Sequence, residues 1–189
     1  MNAQDARSRL PVVAFTGRFQ PFHSDHLDMV RYALSLARQV VIGITNPDGV
    51  PRTAHPASAH RHLEGANPFS YAQREQLVNA ALQADGIPRV CYGIVPFPLE
   101  DPAAWPALLA PGTPQLVRVF SDWEREKVRR FAAAGYPPVM LQGEPSRRLV
   151  ATDLRERLAR GETSLQAVPP GARELLAAWF AHATGDASA

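Results

Sequence analysis

An apolar run, Val12-Val13-Ala14-Phe15-Thr16, passes without a break into Gly17-Arg18-Phe19-Gln20-Pro21-Phe22-His23-Ser24-Asp25-His26-Leu27. The run is short and rich in β-branched and aromatic residues, which is the composition of a buried strand. Leu27, Val30, Ala33, Leu34 and Ala37 then recur with a helical period. The junction therefore reads as a strand, a tight turn and a helix start. Gly17 suits a turn where backbone approaches a ligand closely. Pro21 ends strand pairing just ahead of the helix. His23 and His26 are three residues apart, so they share one face of its first turn. Free N–H groups and the positive dipole end favour an anion at that turn. Two imidazoles with Arg18 beside them form a candidate polyphosphate site.

The rest of the chain repeats the same alternation. Val40–Thr45 reads as a second buried strand, closed by the turn residues Asn46-Pro47-Asp48-Gly49. A long polar stretch with His55, His60 and His62 leads to Pro68, and loops of that length are usually functional or disordered. Those histidines lack ligand spacing and a cysteine partner, so no metal site is expected there. Ser70 and Gln73 have capping-box spacing ahead of a helix over 71–84, which Gly86 stops. Strands are expected at 90–95, 115–120 and 139–141. Helices are expected at 103–109, at 123–134 with Asp122 as cap, at 152–158 and at 172–182. Strands alternating with helices predict an α/β fold, a parallel sheet of about five strands with helices on both faces. Ligands of such sheets bind beyond the carboxyl ends of the strands, where the Gly17–His26 motif falls. One domain over residues 1–189 is expected, with 1–10 and 184–189 as loose ends.

Composition excludes several classes. Twenty basic against eighteen acidic residues leave a net charge of +2, too little to imply nucleic acid or a membrane surface as partner. The single cysteine, Cys91, cannot form an internal disulfide. The polar start lacks the apolar core of a signal peptide, and no run is long enough to span a bilayer. A cytoplasmic enzyme of small molecules is the expectation.

The string G-R-F-Q-P-F-H-x-x-H resembles the signature of nucleotidyltransferases with a dinucleotide-binding-like (Rossmann-like) fold. Its GRFQPFH form is most similar to archaeal-type nicotinamide-nucleotide adenylyltransferases. That family usually has H-x-G-H, and here Asp25 stands in the glycine's place. Ala151-Thr152-Asp153-Leu154-Arg155 resembles the family's second signature, with Thr152 and Arg155 matched and Val150-Ala151 replacing Ser-Gly. Asn67-Pro68-Phe69-Ser70-Tyr71-Ala72-Gln73-Arg74 resembles N-P-F-T-x-x-E-R, with Gln73 in the acidic position.

The resemblance implies transfer of AMP from ATP to nicotinamide mononucleotide, with Mg²⁺ arriving on the ATP. It implies His23, His26 and Arg18 as catalytic residues. It also implies Gly17, Phe19, Gln20, Thr152 and Arg155 on the nucleotide, and Asn67 and Trp105 on the acceptor, the indole stacking on the pyridine ring. Trp123 and the pair Ser121-Asp122 follow the fourth strand as further candidates. A homo-oligomer is also implied, since family members often assemble. Nicotinate mononucleotide as acceptor, a cytidylyl transfer to a phosphonate or sugar phosphate, and a non-catalytic nucleotide sensor remain open at this stage.

Overall fold

A computed structural model describes residues 9–50, 54, 56, 62–147, 149, 151–162 and 165–185. Of the expected loose ends 1–10 and 184–189, residues 1–8 and 186–189 lie outside them, as do His55, His60 and Val150, whereas Thr184 and Gly185 end the last helix. Leu10 already opens the first strand, because it pairs with Ala37.

Five parallel strands form one sheet: β1 (Leu10–Gly17), β2 (Ala37–Thr45), β3 (Tyr92–Phe97), β4 (Gln115–Val119) and β5 (Pro138–Gln142). Their spatial order is β3-β2-β1-β4-β5. The chain moves outward from β1 through β2 to β3. It then crosses back to place β4 on the other free edge of β1, so the direction of winding reverses between β1 and β4. Among the described residues, five α-helices connect or follow the strands: α1 (Ser24–Leu36), α2 (Tyr71–Ala84), α3 (Asp122–Ala133), α4 (Ala151–Ala159) and α5 (Pro170–Gly185).

Side-chain alternation along the strands supplies two cores. Val13 and Phe15 of β1 join Val40, Ile42 and Ile44 of β2 on one face, against Leu27 and Val30 of α1, Leu77 and Val78 of α2, Leu154 of α4 and Leu176 of α5. Ala14, Val117 and Val119 face the other side, against Trp105, Trp123, Phe131 and Tyr136. Both faces are thus covered, as a parallel sheet requires.

The caps follow local rules. Ser70 Oγ accepts from the Gln73 N–H at 3.2 Å, and Gln73 Oε1 accepts from the Ser70 N–H at 2.9 Å. Ser121, rather than Asp122, precedes α3, and Glu124 accepts from its N–H at 2.9 Å. The expected strand start at Val90 is also displaced. Residues Arg89–Cys91 make a 3₁₀ turn, and pairing with β2 begins at Tyr92. No helix among the described residues is long and apolar enough to cross a membrane.

Candidate active site

A cleft of about 320 Å³ opens at the carboxyl ends of β1 and β4, where the winding reverses. Its walls come from the turn after β1, the first turns of α1 and α4, the end of β4 and the inner side of α3. The motifs at 17–26 and 149–155, remote in sequence, meet there.

The turn after β1 is held in a demanding conformation. Phe19 has φ of 52°, in the left-handed region, which a bulky side chain adopts only when its surroundings compel it. Its ring packs between Phe15, Phe22 and His26. An added Cβ on Gly17 would lie 2.6 Å from that ring. Gly17 is therefore required by Phe19, a reason the sequence reading did not contain. Gln20, expected on the nucleotide, is almost wholly buried and works as a tie. Its amide donates to Phe69 O at 2.9 Å and accepts from the Phe69 N–H at 2.9 Å.

Arg74 braces the same region from below. Its fully buried guanidinium donates to the carbonyls of Arg18 (3.1 Å) and Asn46 (2.8 Å), and also to Thr45 and Ser70. One side chain thereby fixes the ends of β1 and β2 and the start of α2. Arg18 reaches over to Ala66 O at 3.3 Å.

His23 is the residue immediately before α1 and is buried. Its ring stacks on His26, with centroids 3.6 Å apart and planes 29° apart. The His23 N–H donates to His26 Nδ1 at 3.3 Å. A nitrogen that accepts carries no proton in the neutral ring, so the proton of His26 sits on Nε2. Nε2–H is then the donor of the neutral ring.

The opposite wall is α4. Arg155 donates to Gln20 O at 3.1 Å and to Thr152 Oγ1 at 2.9 Å. Burial pulls its guanidinium below the usual arginine range, yet it remains a cation at any neutral pH. Asp25, the departure from the family pattern, has a definite partner. Its carboxylate accepts from the Leu149 N–H at 3.2 Å, so it ties the first turn of α1 to the segment leading into α4.

Two expected acceptor residues are elsewhere. Trp105 is fully buried, and its indole N–H donates to Pro98 O at 2.9 Å. The proline-rich stretch folds into a 3₁₀ turn over Pro102–Ala107 and turns the indole onto Phe97, Phe131 and Tyr136. Trp105 is thus a core residue, with no face open for a ligand. Asn67 is also buried, and its amide donates to Leu63 O at 2.8 Å. Neither residue lines the cleft. Trp123 does, together with three residues that sequence reasoning passed over: Arg118, Glu124 and Lys127. Lys127 is buried and its Nζ donates to Thr16 O at 2.9 Å. A lone charge inside the apolar strand Leu116-Val117-Arg118-Val119 was the available signal for Arg118. For Lys127, one turn into a charged helix, the sequence offers no such signal.

Four basic side chains, Arg18, Arg118, Lys127 and Arg155, face the cleft with the two imidazoles, against the carboxylates of Asp25 and Glu124. Glu124 is engaged by Ser121. The field inside is positive and the donors converge from two helix starts, which suits a polyphosphate. Among the described residues, no group of three His, Cys, Asp or Glu side chains is placed to hold a metal.

Comparison with known proteins gives the family and the fold. Residues 14–91 match the model of the family described as cytidylyltransferase-like. A phosphonoformate cytidylyltransferase of Streptomyces viridochromogenes is 30% identical over 154 residues, covering 82% of this chain and 84% of that one. A nicotinamide-nucleotide adenylyltransferase of Methanolobus tindarius is 31% identical over 158 residues, covering 82% and 81%. Among solved structures, a bifunctional NMN adenylyltransferase/ADP ribose pyrophosphatase from Francisella tularensis superposes with a TM-score of 0.70 at 23% identity. That match covers 91% of this chain and half of the Francisella chain, and it establishes the shared fold. The same Francisella protein is also known in complex with AMP and a manganese ion.

Proposed function

The chain belongs to the cytidylyltransferase-like family of nucleotidyltransferases, and on that premise we propose that it transfers AMP from ATP to nicotinamide mononucleotide, forming NAD and pyrophosphate. The observation that carries this reading is the convergence of the stacked His23–His26 pair and the Thr152–Arg155 pair on one cleft at the β1–β4 reversal. The adenylyltransferase relatives support the choice of nucleotide and acceptor.

In this reaction a phosphate oxygen of the acceptor attacks the α-phosphorus. The bond from that phosphorus to the bridging oxygen breaks, and pyrophosphate leaves with the electron pair. No side chain has to become covalently bound. The protein contributes position and charge neutralisation. His26 Nε2–H and the positive end of the α1 dipole would hold the α- and β-phosphates as charge builds on them. Arg18, Thr152 and Arg155 would hold the outer phosphates, Arg155 by its planar fork. A divalent ion would enter with the triphosphate and neutralise it further. A hard cation carried by phosphates needs few protein ligands, and this donor set, rich in cations, fits that arrangement.

A second reading is transfer of CMP to a small phosphonate. The Streptomyces relative supports it, as does the burial of Trp105, which leaves the pyridine ring without its expected stacking partner. One experiment separates the two. Pyrophosphate release is measured with ATP or CTP against nicotinamide mononucleotide, nicotinate mononucleotide and phosphonoformate. Turnover of ATP with the amide mononucleotide bears out the first reading. Turnover confined to CTP with the phosphonate replaces it with the second, and no release with any pair overturns nucleotidyl transfer itself.

A further inference from the structure

Arg118 stands near the carboxyl end of β4, a strand buried on both sides of the sheet. Leu116 packs in the first core, and Val117 and Val119 pack in the second. Alternation therefore puts Arg118 on the face of Leu116, the side on which α1 and α4 lie. It lines the cleft and is half-buried. Among the described residues it has no hydrogen-bond or ion-pair partner. The other three cleft cations are all engaged with protein groups. A partly desolvated guanidinium with five unused donors is costly unless something else satisfies it.

Its surroundings say what that is. Leu116, Phe120, Met29, Leu149 and Ala151 line the cleft with it, and Leu116 and Phe120 follow the same alternation along the chain as Arg118. The candidate phosphate-binding groups, His23, His26, Thr152 and Arg155, line the same cleft from the starts of α1 and α4. An apolar slot beside a phosphate clamp, with one directed polar group, is the form of a nucleobase pocket.

We propose that Arg118 contacts the nucleobase and determines which base the cleft accepts. This rests on the nucleotidyl-transfer reading and, within it, favours the second, CTP-dependent alternative over transfer from ATP. A guanidinium fork donates two parallel hydrogen bonds, so it matches a base edge with two adjacent acceptors. Cytosine offers O2 with N3, and guanine offers O6 with N7. Adenine sets its amino donor beside each of N1 and N7, and uracil sets the N3–H between its two carbonyls. Arg118 therefore adds affinity for CTP or GTP and none for ATP or UTP.

The test uses the intact protein, its Arg118→Met variant, which keeps the side-chain length, and Arg118→Lys, which keeps the charge and loses the fork. Affinity for ATP, CTP, GTP and UTP is measured by calorimetry, and pyrophosphate release is followed in parallel. Both variants are expected to lose roughly 10- to 100-fold in affinity for CTP or GTP, the worth of one bidentate pair. ATP and UTP should stay within about threefold. Loss by CTP alone identifies cytosine, and loss by GTP alone identifies guanine. Equal loss for all four nucleotides with rescue by lysine would make Arg118 a phosphate contact and overturn the proposal. So would unchanged affinities, or a wild-type protein that binds neither CTP nor GTP. Absence of pyrophosphate release from every nucleotide is a separate result, which overturns the underlying reading as well.

Discussion

The His23 backbone N–H donates to His26 Nδ1 at 3.3 Å while the two imidazoles stack 3.6 Å apart. The contact does two things at once. It orders the first turn of α1, and it commits the proton of neutral His26 to Nε2. His26→Ala should therefore lower kcat by about 10²–10³, the usual cost of losing one donor aimed at transition-state charge. The melting temperature should fall by about 2–4 °C, because the variant also loses the cap contact to the His23 N–H and the ring packing on Phe19 and Phe22. Steady-state pyrophosphate release with a parallel thermal melt checks both. A near-normal kcat would make the pair structural.

Arg155 bridges Gln20 O and Thr152 Oγ1 across the cleft mouth. Arg155→Lys keeps the charge and loses the fork. The KM for the triphosphate should rise on the order of 10-fold, about 1.4 kcal/mol. The KM for the acceptor should hold. Initial rates over a grid of both substrates separate the two constants, and equal changes in both would place Arg155 outside the nucleotide site.

Asp25 replaces the family's glycine and holds the Leu149 N–H. Its effect should reach the nucleotide through the segment that carries Thr152 and Arg155. Asp25→Gly should raise the nucleotide KM about two- to tenfold, the value of one ordinary hydrogen bond. Asp25→Asn retains an accepting oxygen and should restore most of it. The ratio of kcat/KM for amide and acid mononucleotides should not move. A shift in that ratio would mean that Asp25 selects the acceptor instead.

Trp105 packs on Phe97, Phe131 and Tyr136 with no exposed surface. Trp105→Ala should destabilise the protein by about 3–5 kcal/mol, as deletion of a large buried ring does. Trp105→Phe should refold with an acceptor KM within about twofold of wild type, since no stacking contact is removed. Denaturant unfolding and acceptor titrations give the two readouts. A large change in acceptor KM for the phenylalanine variant would return Trp105 to the site.

Arg74 binds four carbonyls from three segments while fully buried. Arg74→Met should cost about 3–5 kcal/mol, because acceptors are stranded in the interior and the turn loses its brace. Activity per folded molecule should fall too, through Arg18. Chemical denaturation combined with active-site titration by nucleotide binding measures both, and an unchanged midpoint would contradict the bracing role.

Local chemistry was enough for one level of this protein. The apolar run before Gly17, the turn and the two histidines three apart specified strand, turn and helix start, because each depends on neighbours within one turn of chain. Ser70 with Gln73 specified the start of α2 for the same reason. Alternating strands and helices fixed the parallel α/β class, since parallel neighbours need helical crossovers. Thr152 and Arg155 stood out through their resemblance to a second signature, and both line the cleft.

Tertiary structure decided the rest. The order β3-β2-β1-β4-β5 depends on a crossover that no local pattern encodes, and it alone sets β4 beside β1. Arg118 and Lys127 became cleft residues only through that placement. Trp105 left the site because packing against Phe131 and Tyr136, from segments beyond it in sequence, buried its ring. Asp25 and Leu149 are 124 positions apart, and the hydrogen bond between them exists because two helix starts converge at the reversal of the sheet. A contact of that range follows from how the layers pack, and sequence spacing carries no record of it.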